Sequence, residues 1–132
     1  MSDELTRSNL ESWREMVSYY EDFVRHTDWE WLHPLLRVVR KLAASHMAEK
    51  FRAGQSLWHL IISTAPKWGL DENEPFIAMT LIGKSPQLKI EYWEKTGGRV
   101  LEKHTCGEDD VMPFLQPVLD RLWEGTRGQR AS

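Results

Sequence analysis

Histidine and cysteine are the side chains best able to do nucleophilic or metal chemistry, and this chain has five of the first and one of the second. His26, His33, His46, His59 and His104 include no His-x-x-x-His pair and no His-Glu-x-x-His motif, the spacings that put two imidazoles on one helix face. With Cys106 as the single cysteine, no intrachain disulfide can form and no cysteine-based zinc site can be built within one chain. His104 and Cys106 stand two residues apart, which in a strand puts them on one face but about 6.6 Å from each other. Direct proton transfer needs about 3 Å, so Cys106 reads as core filler rather than as an activated thiol. Gly83-Lys84-Ser85 lacks the first glycine of a phosphate loop and lies between two strand patterns, so it reads as a turn. Asp71-Glu72-Asn73-Glu74 has the charge of a calcium loop without its spacing or glycine. No catalytic residue, metal ligand or cofactor follows from these patterns.

Aromatic residues carry the stronger signal. Seven tryptophans are present: Trp13, Trp29, Trp31, Trp58, Trp68, Trp93 and Trp123. Trp13 and Trp123 fall on apolar helix stripes and Trp58 falls in a buried strand pattern, so packing explains all three. Trp29, Trp31, Trp68 and Trp93 fall in breaks, in loops or on the polar side of a strand. An indole is costly to leave wet and is enriched at binding surfaces. The candidate binding set is Trp58, His59, Trp68, Trp93 and His104, with no catalytic or metal role attached.

Length and charge narrow the classes. A chain of 132 residues, 41% apolar and 28% charged, has the size and composition of one folded domain. The uncharged apolar stretch Leu57 to Pro66 is about half of what a membrane-spanning helix needs. The acidic start Met1-Ser2-Asp3-Glu4 lacks the basic and apolar regions of a signal peptide. The expectation is a cytoplasmic protein without membrane contact. Net charge is −3, which speaks against general nucleic-acid binding. Residues 1–33 sum to −5 and residues 34–54 to +4, a pattern expected of two neighbouring helices with complementary charge.

The elements that must position these residues read α-α-β-β-β-β-α. Leu10, Trp13, Val17, Tyr20 and Val24 step by three and four and predict a first amphipathic helix, capped by Ser8 or Asn9. Thr27 and Glu30 have capping-box spacing, and Pro34 fits the first turn of a second helix that runs toward Lys50 or Phe51. Leu57 to Thr64 and Phe76 to Ile82 are apolar on both faces and predict two buried strands. Leu88, Ile90 and Tyr92 alternate with Lys89 and Glu91 in a third. Thr96-Gly97-Gly98-Arg99 predicts a hairpin into a fourth, Val100 to Thr105. In the last helix Leu115, Val118, Leu119, Leu122 and Trp123 form the stripe. Pro117 either kinks it or marks its start, and Gly125 ends it.

The expectation is a single α+β domain over 1–132, with 1–7 and 125–132 as loose ends. A helical hairpin precedes a four-stranded, mainly antiparallel sheet, and a C-terminal helix follows. A simple meander leaves the first strand at an edge although it is apolar on both faces, which calls for cover by a helix, a central position or a second copy of the chain. The leading functional reading is a non-catalytic protein-interaction domain that binds another protein or itself. The alternative is a small-ligand domain with a tryptophan- and histidine-lined pocket between sheet and helices. A third is an enzyme using His59 or His104 as acid or base.

Overall fold

The computed structural model describes residues 3–56, 59–64, 74–83 and 85–131. Helix α1 spans Asp3–Val24, and a 3-10 segment, Thr27–Leu32, leads into α2, His33–Ala43. A one-turn helix, α3 (Met47–Lys50), precedes the sheet. Its strands are β1 (Arg52–Ser56), β2 (His59–Ser63), β3 (Phe76–Leu81), β4 (Leu88–Trp93) and β5 (Val100–Cys106). Helix α4, Val111–Ala131, closes the described chain.

The class is α+β, but the sheet has five strands rather than four. They form an antiparallel meander in the order β1-β2-β3-β4-β5. The unforeseen strand is β1, whose Gly54, Gln55 and Ser56 have turn-like or weak strand propensity and no apolar alternation. It pairs along its whole length with β2, Arg52 opposite Ser63 and Ser56 opposite His59. What reads as one strand from Leu57 onward is thus the second arm of a hairpin. Leu57 and Trp58 lie outside the described residues.

That extra strand resolves the edge conflict. β2 is interior, paired with β1 on one side and with β3 on the other. β1 is the edge, and α1 covers it through side chains that reach the strand's outward backbone. Asn9 Nδ2 donates to the Glu49 carbonyl at 2.9 Å, and Trp13 Nε1 donates to the Phe51 carbonyl at 2.9 Å. The Ala53 N–H donates to Ser12 Oγ at 2.9 Å. Glu49 belongs to α3, Phe51 leads out of it and Ala53 lies on β1, so α1 bonds the strand at Ala53 and the chain that enters it at Glu49 and Phe51. A free edge needs such cover to avoid pairing with another chain. The motive for a dimer at this place disappears.

Three helix boundaries also differ from expectation. Helix α1 begins at Asp3, so Asn9 sits inside it and bonds α3 rather than capping. The second helix stops at Ala43, and His46 opens a separate short turn. Neither the 3-10 segment nor α2 has a side-chain cap. Pro117 lies inside α4, which passes Gly125 and continues to Ala131. Leu115, Val118, Leu119 and Leu122 are all buried, so the stripe spans the proline and docking of that face outweighs the lost N–H. Gly97 has φ +74°, the left-handed conformation that the β4–β5 turn requires.

The register sorts the sheet into two faces. Ala53, Ile62, Ile77, Tyr92 and Glu102 make one row across it, and Gln55, Leu60, Met79, Ile90 and His104 make the next row on the same side. The apolar members of these rows are buried in one cluster with Trp13, Tyr20, Leu35, Val39, Leu42 and the α4 stripe. Leu10 and Val17 pack at its margin, half-buried. The opposite face carries the row Gly54, Ile61, Ala78, Glu91 and Lys103. The charge contrast between the first two helical regions resolves partly into contact, since Arg40 pairs with Glu21 at 2.7 Å. Arg37 instead reaches Glu108 beyond the sheet, at 2.6 and 2.9 Å.

Candidate functional site

Alternation along β1 to β4 sends every second side chain away from the helices, and there it lines a groove of about 580 Å³. Ile61, Phe76, Ala78 and Trp93 give it an apolar wall and floor, and His59, Ser63, Glu91 and Thr96 supply polar groups. Phe76 lies opposite Trp93 in the β3–β4 register. Their rings stack with centroids 6.0 Å apart and planes 3° from parallel. This cross-strand pair forms a flat aromatic wall at the end of the groove nearest the Thr96-Gly97 turn.

His59 opens β2 and is half-buried at the other end. Its Nδ1 lies 3.2 Å from the Ser56 carbonyl. A carbonyl only accepts, so the neutral ring carries its hydrogen on Nδ1 and offers Nε2 as an acceptor. Glu91, on β4, faces the groove with a side chain only 13% exposed. Lys89 Nζ stands 3.8 Å from its Oε1, an ion pair longer than a hydrogen bond. The Glu91 carboxylate accepts no hydrogen bond and the Trp93 N–H donates none among the described residues. Arg52 lines the far side, where its guanidinium is bonded to Ser8 of α1. Burial lowers the Arg52 pKa, and the negative charge of Glu15 partly restores it.

Of the sequence-derived set, the structure brings together His59 and Trp93. Trp58 and Trp68 lie outside the described residues. His104 belongs to the opposite face. Its Nε2 is 3.4 Å from Glu102 Oε1, and Phe114 of α4 packs against its ring with centroids 5.6 Å apart. Glu102 is also bonded by Arg121 of α4. Burial pushes the Glu102 pKa up, but the hydrogen bonds from Arg121 and His104 outweigh it, and the net shift is downward. The ingredients of acid–base work are therefore split. His104 has a carboxylate partner but no place in the groove. His59 lies in the groove, two strands and about 10 Å from Glu91 by strand spacing alone.

The groove also departs from the expected location. It does not lie between sheet and helices, because that space is filled by the core cluster. Trp29 and Trp31 pack at the core margin, where Trp29 meets Phe23 edge-on. Trp123 packs on Phe51 beneath Lys50. Phe76, Ala78 and Glu91 were not legible as site residues. Phe76 and Ala78 sit in a strand that is apolar on both faces, and Glu91 reads as ordinary solvent-side alternation. No cluster of three or more metal-binding side chains occurs among the described residues. Nor is any described helix long and apolar enough to cross a membrane. Compared with protein-family models, curated proteins and solved structures, the chain matches none.

Proposed function

We propose that this protein is a small-ligand binding domain and that the groove on the sheet face opposite the described helices is its site. The observation that carries this reading is a groove of about 580 Å³ that combines a stacked Phe76–Trp93 wall with polar groups of His59, Glu91 and Trp93 in its lining. Ligand sites are commonly concave, about 300–1,000 Å³, and mainly apolar, with a few convergent polar groups that fix orientation. Trp93 supplies apolar area and an N–H donor, Glu91 supplies an acceptor, and His59 supplies a second acceptor at the far end. The test is thermal unfolding against a broad metabolite panel. A ligand at one hundred times its Kd stabilises a domain by about 2.7 kcal/mol, which for 132 residues raises Tm by about 10 °C. The rise should vanish in Trp93→Ala, while that variant alone still unfolds cooperatively. A panel without any shift, or a shift that survives in Trp93→Ala, rejects the groove.

A second reading, association with a protein partner or a second copy, is favoured by the other edge. Among the described residues β5 pairs only with β4, and Val100 and Leu101 are exposed on it. Sedimentation of wild type against Leu101→Lys tests the second copy: a dimer lost in the variant supports self-association, and a monomer in both removes self-association.

A further inference from the structure

We infer that the ligand of this groove is a cation: a planar apolar body that carries an amine or another protonated nitrogen. This rests on the ligand-binding reading above and adds the chemical class. The charged groups that line the groove are few. Arg52 lies on β1, three strands and about 14 Å from β4, and its guanidinium is turned to Ser8 of α1. At the aromatic end the lining charge is the Glu91 carboxylate, two residues before Trp93 on the same face of β4.

Glu91 is an under-used anion. Its side chain is 13% exposed, and its one ionic neighbour among the described residues, Lys89 at 3.8 Å, makes no hydrogen bond to it. Lys103 stands opposite it on β5, is exposed, and does not line the groove. A carboxylate in that position gains from a donor that reaches about 2.8 Å, because charge-assisted hydrogen bonds are roughly twice as strong as neutral ones. A ligand ammonium can make that bond from the groove side, leaving Lys89 on the other. The adjacent Trp93 indole, stacked on Phe76, presents a negative ring face that attracts the same charge. An anionic ligand would meet Glu91 with repulsion and find no lining cation nearer than Arg52 among the described residues.

Three probes of one shape and different charge test the inference: tryptamine (cation), 3-methylindole (neutral) and indole-3-acetate (anion). Binding is followed by NMR at the Ile61 and Ala78 methyl groups, both in the groove lining. Tryptamine should bind about tenfold tighter than 3-methylindole, with indole-3-acetate weakest. In the isosteric variant Glu91→Gln, the preference for tryptamine over 3-methylindole should fall to the few-fold that the Trp93 ring face alone supplies, with the neutral probe unchanged. If indole-3-acetate binds as well as tryptamine, or if the cation preference survives undiminished in Glu91→Gln, the inference is overturned and the ligand-binding reading stands. Should no probe shift either methyl group at millimolar concentration, both fall together.

Discussion

Replacing Ser12 by Ala deletes one oxygen, and the geometry says where the loss appears. Ser12 is buried on α1, where its hydroxyl donates to the Asn9 carbonyl and accepts from the Ala53 N–H of edge strand β1. The Asn9 carbonyl keeps its helical neighbours, but the Ala53 N–H is left buried without an acceptor. An unsatisfied buried donor costs about 1–3 kcal/mol. Alanine returns about 0.5 kcal/mol of helix propensity, so the net destabilisation is about 0.5–2.5 kcal/mol. Unfolding entropy of about 2.1 cal/mol/K per residue over 132 residues converts this to a Tm lower by about 2–9 °C. The control is Ser18→Ala on the same helix, where the side chain is exposed. That change keeps only the propensity term, and Tm should rise by about 1–2 °C. Differential scanning calorimetry of the two variants reads the contrast. If Ser12→Ala melts no lower than Ser18→Ala, α1 does not serve as the hydrogen-bonding cover of β1.

Other consequences follow from single contacts. The hydrogen bond from Arg37 lowers the Glu108 pKa against a smaller upward push from burial. A carboxylate whose folded pKa is depressed contributes stability above its unfolded pKa, near 4.5, and loses it as pH falls through the folded value. Glu108→Gln should therefore melt lower than wild type at pH 7 by no more than about 1 kcal/mol, since Arg37 is half exposed. The two melting curves should converge as pH is taken below the carboxylate range, and a constant gap would refute the pairing. Pro117→Ala restores an N–H opposite the Pro113 carbonyl on the exposed side of α4 and should raise Tm. A lower Tm would mean that α4 does not run unbroken through Pro117. Cys106 is buried, and burial followed by the nearby Asp110 charge pushes its thiol pKa up. A thiol reagent should modify it only on the timescale of unfolding, and instantaneous modification of the native protein would contradict its placement.

Periodicity was a sound guide wherever one face of an element meets the core. Steps of three and four placed Trp13 and Tyr20 inward on α1, and alternation placed Ile90 and Tyr92 inward on β4. Glycine at Gly97 marked the last hairpin because its positive φ is a local property. Strand β1 escaped, because Arg-Ala-Gly-Gln-Ser has little propensity of its own and becomes a strand through pairing with β2 and bonding to α1. Pro117 was ambiguous for the same kind of reason, since only docking of the α4 stripe decides whether a helix survives a missing N–H.

The candidate site divides along the same line. Residue type alone singled out Trp93 and His59, because an indole on a strand's polar side and an imidazole in an apolar strand are both unusual locally. It also singled out His104, whose parity on β5 sends it to the helix side, where α4 covers it with Phe114. Sequence by itself thus determined which segments are amphipathic, the hairpin turn at Gly97, and that no short-range metal or nucleophile motif exists. The strand order, the interior place of β2 and the grouping of His59, Phe76, Glu91 and Trp93 on the face opposite the described helices were decided only by tertiary structure. Register and pairing join residues more than thirty positions apart, and no local preference of the chain encodes which strand lies beside which.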